Sequence, residues 1–350
     1  MDDNTIVIDP DGEVIIVLKK PDAPFAVWDG DPEAEPSTSE DGKKEPDKED
    51  EQSKSSRADP PAPNGAPPGD SKNSDGEKVV RVQVSAKHLM LPSPGLRRLI
   101  TGGKEGRCPR KIKSKEIVTD RWNAKAFLLL LNILHCRHSE VPRKLSLDML
   151  ARLAEIVDHY DCTEALGCYP EIWMSSLEPG RPMEYCRGLI LWIWVSWAFR
   201  SHQLLAEAVL IAIRESNGPV TDLGLPIPPP LIDHINKQRQ TAISGLVSSL
   251  NTLRNGLLCD TKGCSFDCRS MAIGLIAKLM HQNALSADAR IVAGQWSFHD
   301  LKLMMFSCSR QLEEYSRCQC QYTGWINEAI GSAENSATKE LPAALWGSSS

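Results

Sequence analysis

Between Asp29 and Glu77 the chain carries no Val, Ile, Leu, Met, Phe, Trp, Tyr or Cys, and no other feature constrains its fold as much. Pro, Ser, Asp, Glu and Lys dominate the stretch. A segment of this kind has no apolar surface to set against the conformational entropy of ordering it. The core must therefore be assembled from the residues on either side, and roughly 300 core-forming residues suggest two domains. The divisions read from the sequence are residues 5–28 with 78–177, an acidic Pro/Ser-rich insertion at 29–77, a helical part at 180–330 and a flexible tail at 331–350.

The same stretch sets the charge balance. It holds 15 acids and 6 bases, so it contributes −9 to a chain whose net charge is −6, leaving the remainder near +3. A nucleic-acid surface calls for Lys and Arg clustered along one face with stacking aromatics, which this remainder lacks. The opening MDDNTIVIDPDGEV has neither a basic n-region nor an apolar h-region, so no secretory signal is expected. The most apolar window, Gly188 to Phe199, lies between Arg187 and Arg200. It falls far short of the roughly 20 residues a spanning helix needs, and reads as a buried helix. Eleven cysteines without an export signal read as reduced thiols of a cytoplasmic or nuclear protein.

Glu13 to Leu18 is a β-branched run after the turn-forming Asp9-Pro10-Asp11-Gly12, and predicts a strand. In Lys78 to Val84, Val80, Val82 and Val84 alternate with Val79, Arg81 and Gln83, the pattern of a half-buried strand. Ser85 is placed to cap a short helix, Pro92 and Pro94 interrupt it, and Gly102-Gly103 ends the next. Lys115 to Thr119 predicts a third strand, and Trp122 to Cys136 a helix apolar almost all round, suited to the centre of a core. Leu145 to Tyr160, with Ser146 as N-cap, is amphipathic, and Thr163 to Met174 starts another helix. From Met183 onward the pattern is helical only: Met183 to Arg200, Gln203 to Glu215, Leu231 to Leu258 and Cys268 to Gln282, with polar fraying expected from Glu334. A small sheet with a helix cluster, followed by helices alone, is an α+β plan.

These elements, in the order hairpin, two helices, strand, central helix and helix pair, resemble the BTB/POZ fold. Val82-Gln83-Val84-Ser85-Ala86-Lys87-His88-Leu89 through Leu91-Pro92-Ser93-Pro94 is similar to the family's strand, first helix and turn. Asp120, Phe127 and Leu128 to His135 resemble its acidic start and central helix, and Leu145 to Leu166 its last helix pair. The stretches DPDGEVIIVLKKPDAPFAVWDGD, NILHCRHSEVPRKLSLDML, LGLPIPPPLIDHIN and GCSFDC resemble a group of BTB proteins in filamentous fungi. The resemblance implies a BTB/POZ domain followed by an all-helical C-terminal domain, and a non-enzymatic scaffold that binds other proteins, another copy of itself among them. Two alternatives are a substrate adaptor of a cullin-type ubiquitin ligase and a nuclear scaffold. The family's apolar-x-Glu adaptor motif is missing between Gly102 and Lys115, and only about a dozen residues precede the first core strand, which speaks against a strand-swapped dimer.

Three sets of residues are candidates for function. Leu89, Leu91, Leu96 and Leu99, on the first helix pair, are placed either to meet a partner or to fill the core. Cys264-x3-Cys268 and Cys318-x-Cys320 offer four thiolates to a structural Zn2+, or are buried free thiols; Cys259, His281, His299 and Cys308 are nearby substitutes. Arg110, Lys111, Lys113 and Lys115, with Arg107, form a basic run suited to nuclear import or to a solvated loop. Trp173, Trp192, Trp194 and Trp197 read as core aromatics. Among enzyme signatures, the G-x-S-x-G elbow, P-loop, H-E-x-x-H and strand-borne G-x-G-x-x-G are all absent from the sequence.

Overall fold

Val14–Lys19 (β2) and Val79–Val84 (β3) pair antiparallel, Val14 opposite Val84 and Lys19 opposite Val79. The strands expected on either side of the polar excursion are therefore neighbours. The structure, a computed structural model, describes residues 5–28, 78–102, 115–285, 294–315 and 318–337; the excursion at 29–77 lies outside these. Lys115–Asp120 (β4) joins the other side of β2 in parallel. Thr5–Val7 (β1) joins β3 in parallel, giving the order β1-β3-β2-β4. β1 was not expected, because three residues are too few to show an alternation. Gly12 is fixed by close packing: a Cβ there would sit 2.6 Å from the carbonyl of Val84, at the tight turn entering β2.

The buried side of the sheet, with Val14, Ile16, Leu18, Val82 and Val84, faces a helix cluster. Ala86–Met90 (α1) and Pro94–Thr101 (α2) follow β3. Ser85 does not cap α1 with its side chain; its backbone N–H donates to His135 Nε2 at 3.0 Å instead. A side-chain cap is made at α2, where Ser93 Oγ accepts from Leu96 N at 2.9 Å and donates to the Tyr160 carbonyl at 2.6 Å. Gly102 closes α2 in the left-handed conformation, φ 69°, which a residue without Cβ adopts at no cost. Ala124–Leu134 (α3) buries Phe127, Leu130 and Leu131, and Leu147–His159 (α4) starts on the Ser146 side chain, which accepts from Met149 N at 3.2 Å. The helix expected from Thr163 is broken. A 3-10 turn at Thr163–Leu166 stops at Gly167, φ 53° and ψ −124°, and Tyr169–Leu177 (α5) starts afresh with Pro170 in its first turn.

The helical part then runs Arg187–Ala198 (α6), His202–Glu215 (α7), Pro229–Leu258 (α8), Phe266–Gln282 (α9), Phe298–Tyr315 (α10) and Tyr322–Ala337 (α11). The tail begins later than expected. α11 continues through 331–337, and Ile330 and Ala333 are buried while Lys302 pairs with Glu334 at 2.7 Å; residues 338–350 lie outside the described residues.

The buried side chains form one cluster from Ile8 to Ala333. α6 packs on α4, and Trp194 Nε1 donates to the Ala151 carbonyl at 3.1 Å between them. Trp173, Trp192 and Trp194 are fully buried, as expected of core aromatics. Arg187, at the start of α6, donates to Asp148 at 2.7 Å and to the Phe25 and Ala26 carbonyls at 3.2 and 2.8 Å. One guanidinium thus ties the segment after β2 to both helices.

His135 adds a pH dependence. Its Nδ1–H donates to the Leu131 carbonyl at 2.8 Å, which leaves Nε2 as the acceptor for Ser85, so the ring is held neutral. Burial pushes its pKa below the ordinary 6.5. The unfolded chain therefore takes up this proton first; the stabilisation is complete above about pH 6.5 and is lost as pH falls below it. Urea unfolding between pH 8 and pH 5 should show this slope in the natural chain and a shallower one in His135→Gln. Parallel profiles would remove His135 from the account.

Candidate metal centre

The turn from α8 to α9 is built to bring two cysteines forward. Leu258 ends α8, Asp260 takes φ 58° and Gly263 φ 89°. A Cβ on Gly263 would lie 2.5 Å from Arg269 Cγ, and Arg269 in turn pairs with Asp260 at 2.6 Å, locking the turn. Ser265 caps α9, its Oγ accepting from Cys268 N at 3.2 Å. Cys268 thereby sits in the first turn of a long helix and Cys264 just before it.

Cys318 and Cys320 come from the short irregular segment that leads into α11. There the x1 spacing carries two thiols along one short stretch. All four Sγ atoms lie within 4.8 Å of one another. Cys268 Sγ is 3.5 Å from Cys318 Sγ and 3.6 Å from Cys320 Sγ. A tetrahedron with Zn–S of ~2.3 Å has sulfur-to-sulfur edges of about 3.8 Å, so the cluster has the size of a tetrathiolate site. It is the group of potential metal ligands found among the described residues.

Sequence reasoning named these four cysteines but missed Tyr322. Its hydroxyl is 2.8 Å from Cys268 Sγ and 3.6 Å from Cys318 Sγ, and the ring is buried at the start of α11. The alternation Cys318-x-Cys320-x-Tyr322 was the available signal. A buried phenol needs a partner for its proton, and a thiolate is a far stronger acceptor than a thiol. Burial and the two sulfurs push the Tyr322 pKa upward, which keeps the hydroxyl a donor. Burial, with the hydrogen bonds of its neighbours, pushes the Cys320 thiol up to about 12. Sulfurs this close resist ionising one after another in the absence of a cation, and a divalent ion at their centre inverts that preference.

The substitute ligands are not in this cluster. Cys308 is buried, with its thiol pushed up to about 11 by burial, and His299 Nδ1 lies 3.5 Å from Glu215.

The other candidates divide. Leu89 and Leu96 are 0% and 2% exposed and belong to the core, because α1 and α2 each turn one apolar face inward. They are not available to a partner. Leu91 is 82% exposed and Leu99 38%, and Leu91 borders a groove of ≈ 670 Å³ shared with Pro92, Pro94, Cys162 and Arg200. Arg107, Arg110, Lys111 and Lys113 lie outside the described residues. Lys115 belongs to the sheet and not to a free basic run: its backbone N–H donates to Glu13 O at 3.0 Å and its Nζ to the Ile100 carbonyl at 2.5 Å. A second, polar recess of ≈ 370 Å³ lies between Phe25, Trp122, Arg152, Glu155 and His159, and burial raises the Glu155 carboxyl. The hydroxyl at its edge, Thr119 Oγ1, is engaged by Trp122 Nε1 at 2.9 Å and Tyr160 Oη at 3.0 Å.

No family model matches the chain, and comparison with curated proteins and with solved structures likewise finds no match. No helix among the described residues is long and apolar enough to cross a membrane.

Proposed function

We propose that this chain is a non-enzymatic protein-binding scaffold of the BTB/POZ type, whose helical part is fastened by a structural Zn2+ held by Cys264, Cys268, Cys318 and Cys320. The observation that carries the first half is the pairing of Val14–Lys19 with Val79–Val84 across the polar excursion, with Lys115–Asp120 alongside and the helices α1 to α5 following in order. That order supports the family reading made from the sequence. The four sulfurs and the Tyr322 hydroxyl aimed at them support the second half. Zinc suits the set because it is soft enough for thiolates and takes four ligands in a tetrahedron without redox chemistry of its own.

In this reading zinc has a mechanical role. It joins the α8–α9 turn to the start of α11 and so closes the helical part around α10. The binding surface is the exposed tip between α1 and α2, where Leu91 stands beside the groove lined by Pro92, Pro94 and Cys162. An exposed Leu contributes little to folding and a good deal to a desolvated contact. Affinity purification with mass spectrometry should recover protein partners with the natural chain and lose them by about tenfold or more with Leu91→Asp, a loss of at least ~1.4 kcal/mol. The variant's unfolding midpoint should be unchanged. Identical recoveries with the two chains would remove this surface from the proposal.

A further inference from the structure

The four sulfurs are not equivalent. Tyr322 Oη approaches two of them, Cys268 at 2.8 Å and Cys318 at 3.6 Å, and Cys268 is buried. Cys264 is exposed and Cys320 partly so, and the Tyr322 hydroxyl bonds to neither in the described contacts. The cluster thus has Cys268 and Cys318 within reach of the Tyr322 hydroxyl, with Cys268 buried, and Cys264 and Cys320 outside it, with Cys264 exposed and Cys320 part-buried like Cys318. Reaction of a thiolate with an oxidant follows its access, which selects Cys264 as the sulfur that reacts first; Cys320, its hydrogen-bonding neighbour and untouched by the Tyr322 hydroxyl, is the sulfur placed to resolve it.

We propose that the cluster is a peroxide-responsive switch in which Cys264 and Cys320 are oxidised to a disulfide and the metal is released. The inference rests on the zinc reading above. The Cys264 sulfur attacks one oxygen of hydrogen peroxide, the O–O bond breaks, and the departing hydroxide takes a proton to become water. Cys264 is now a sulfenic acid. The Cys320 thiolate, within 4.8 Å, attacks that sulfur; the S–S bond forms, the S–O bond breaks, and the second hydroxide leaves as water with another proton. Two electrons pass from the sulfur pair to the peroxide, zinc stays divalent throughout, and it departs because only two ligands remain. The new bond still connects the start of α9 to the segment before α11, so the helical part is re-fastened covalently while Cys268 and Cys318 stay reduced.

The experiment uses the full chain loaded with zinc and its metal content measured first. Hydrogen peroxide is then titrated in, zinc release is followed with a chromophoric chelator, and disulfides are mapped by mass spectrometry. One zinc released per disulfide, with Cys264–Cys320 as the first bond and full recovery after a dithiol reductant and fresh zinc, is the expected result. In Tyr322→Phe, zinc should bind roughly 10-fold more weakly, as for the loss of a partner hydrogen-bonded to a ligand, and bonds to Cys268 should appear alongside Cys264–Cys320. Retention of zinc under excess peroxide, or a first disulfide containing Cys268 or Cys318 in the natural chain, overturns the switch alone. A chain that takes up no zinc overturns the metal reading and the switch with it.

Discussion

Cys268→Ser should abolish zinc binding and lower the unfolding midpoint of the chain to that of the natural protein treated with a chelator. Cys268 is the ligand with the most to lose: it is buried, it lies within 3.6 Å of both Cys318 and Cys320, and its Sγ is 2.8 Å from the Tyr322 hydroxyl. Ser has nearly the same shape, so packing around the site is little disturbed, but an alcohol is not a thiolate at neutral pH and is a poor ligand for zinc. The size of the effect follows from linkage: a metal present at a thousandfold its dissociation constant stabilises the folded form by ~4 kcal/mol. The loss should be local before it is global, since Ala272, Ile276, Met280, Leu301 and Met305 still hold α9 and α10 to the core. Thermal unfolding with and without added zinc measures it. A variant that keeps a full complement of zinc, or a natural chain indifferent to chelator, would contradict the expectation.

Trp194→Ala should cost about 3–5 kcal/mol, the range for removing a large buried aromatic. Trp194 is fully buried in the middle of α6, where that helix packs on α4 on one side and α7 on the other. Its indole N–H donates to Ala151 across the α4–α6 contact, so truncation removes volume and a hydrogen bond at the place where the sheet-bearing part and the helical part share their core. Trp194→Phe should recover part of the loss by refilling the cavity without the N–H. Urea unfolding of the two variants tests this, and a loss below about 1 kcal/mol for the Ala variant would mean that the two parts do not depend on one another through this contact.

Much of this arrangement was legible because local and global signals agree where the chain alternates or caps cleanly. Val80, Val82 and Val84 alternate, and β3 buries that face at Val82 and Val84; Ser146 and Gly102 sit where a cap and a left-handed stop are needed and act as such. The signal failed where a residue had a better partner at long range. Ser85 is the N-cap residue of α1 as expected, but its side chain makes no capping hydrogen bond, and its N–H donates to His135, fifty positions away in sequence. Thr163 to Met174 reads as one helix, yet it contains Gly167, which adopts a conformation that no helix continues, and Pro170, which sits in the first turn of the next. The four leucines of α1, α2 and the tip between them look alike in sequence, and only three-dimensional placement separates the buried Leu89 and Leu96 from the exposed Leu91 and Leu99. The metal centre was half legible. Four cysteines in two pairs were visible, but their x3 and x1 spacings fit a helix start and an irregular segment instead of the usual turn, and the alternation that puts Tyr322 two residues after Cys320 does not by itself mark a hydrogen-bond partner.

X-ray absorption at the zinc edge, on the full chain purified without added chelator, addresses the centre of this account. A single zinc per chain with four sulfur neighbours at about 2.3 Å is the predicted result. A chain without zinc, or a zinc shell containing nitrogen or oxygen in place of sulfur, would contradict it.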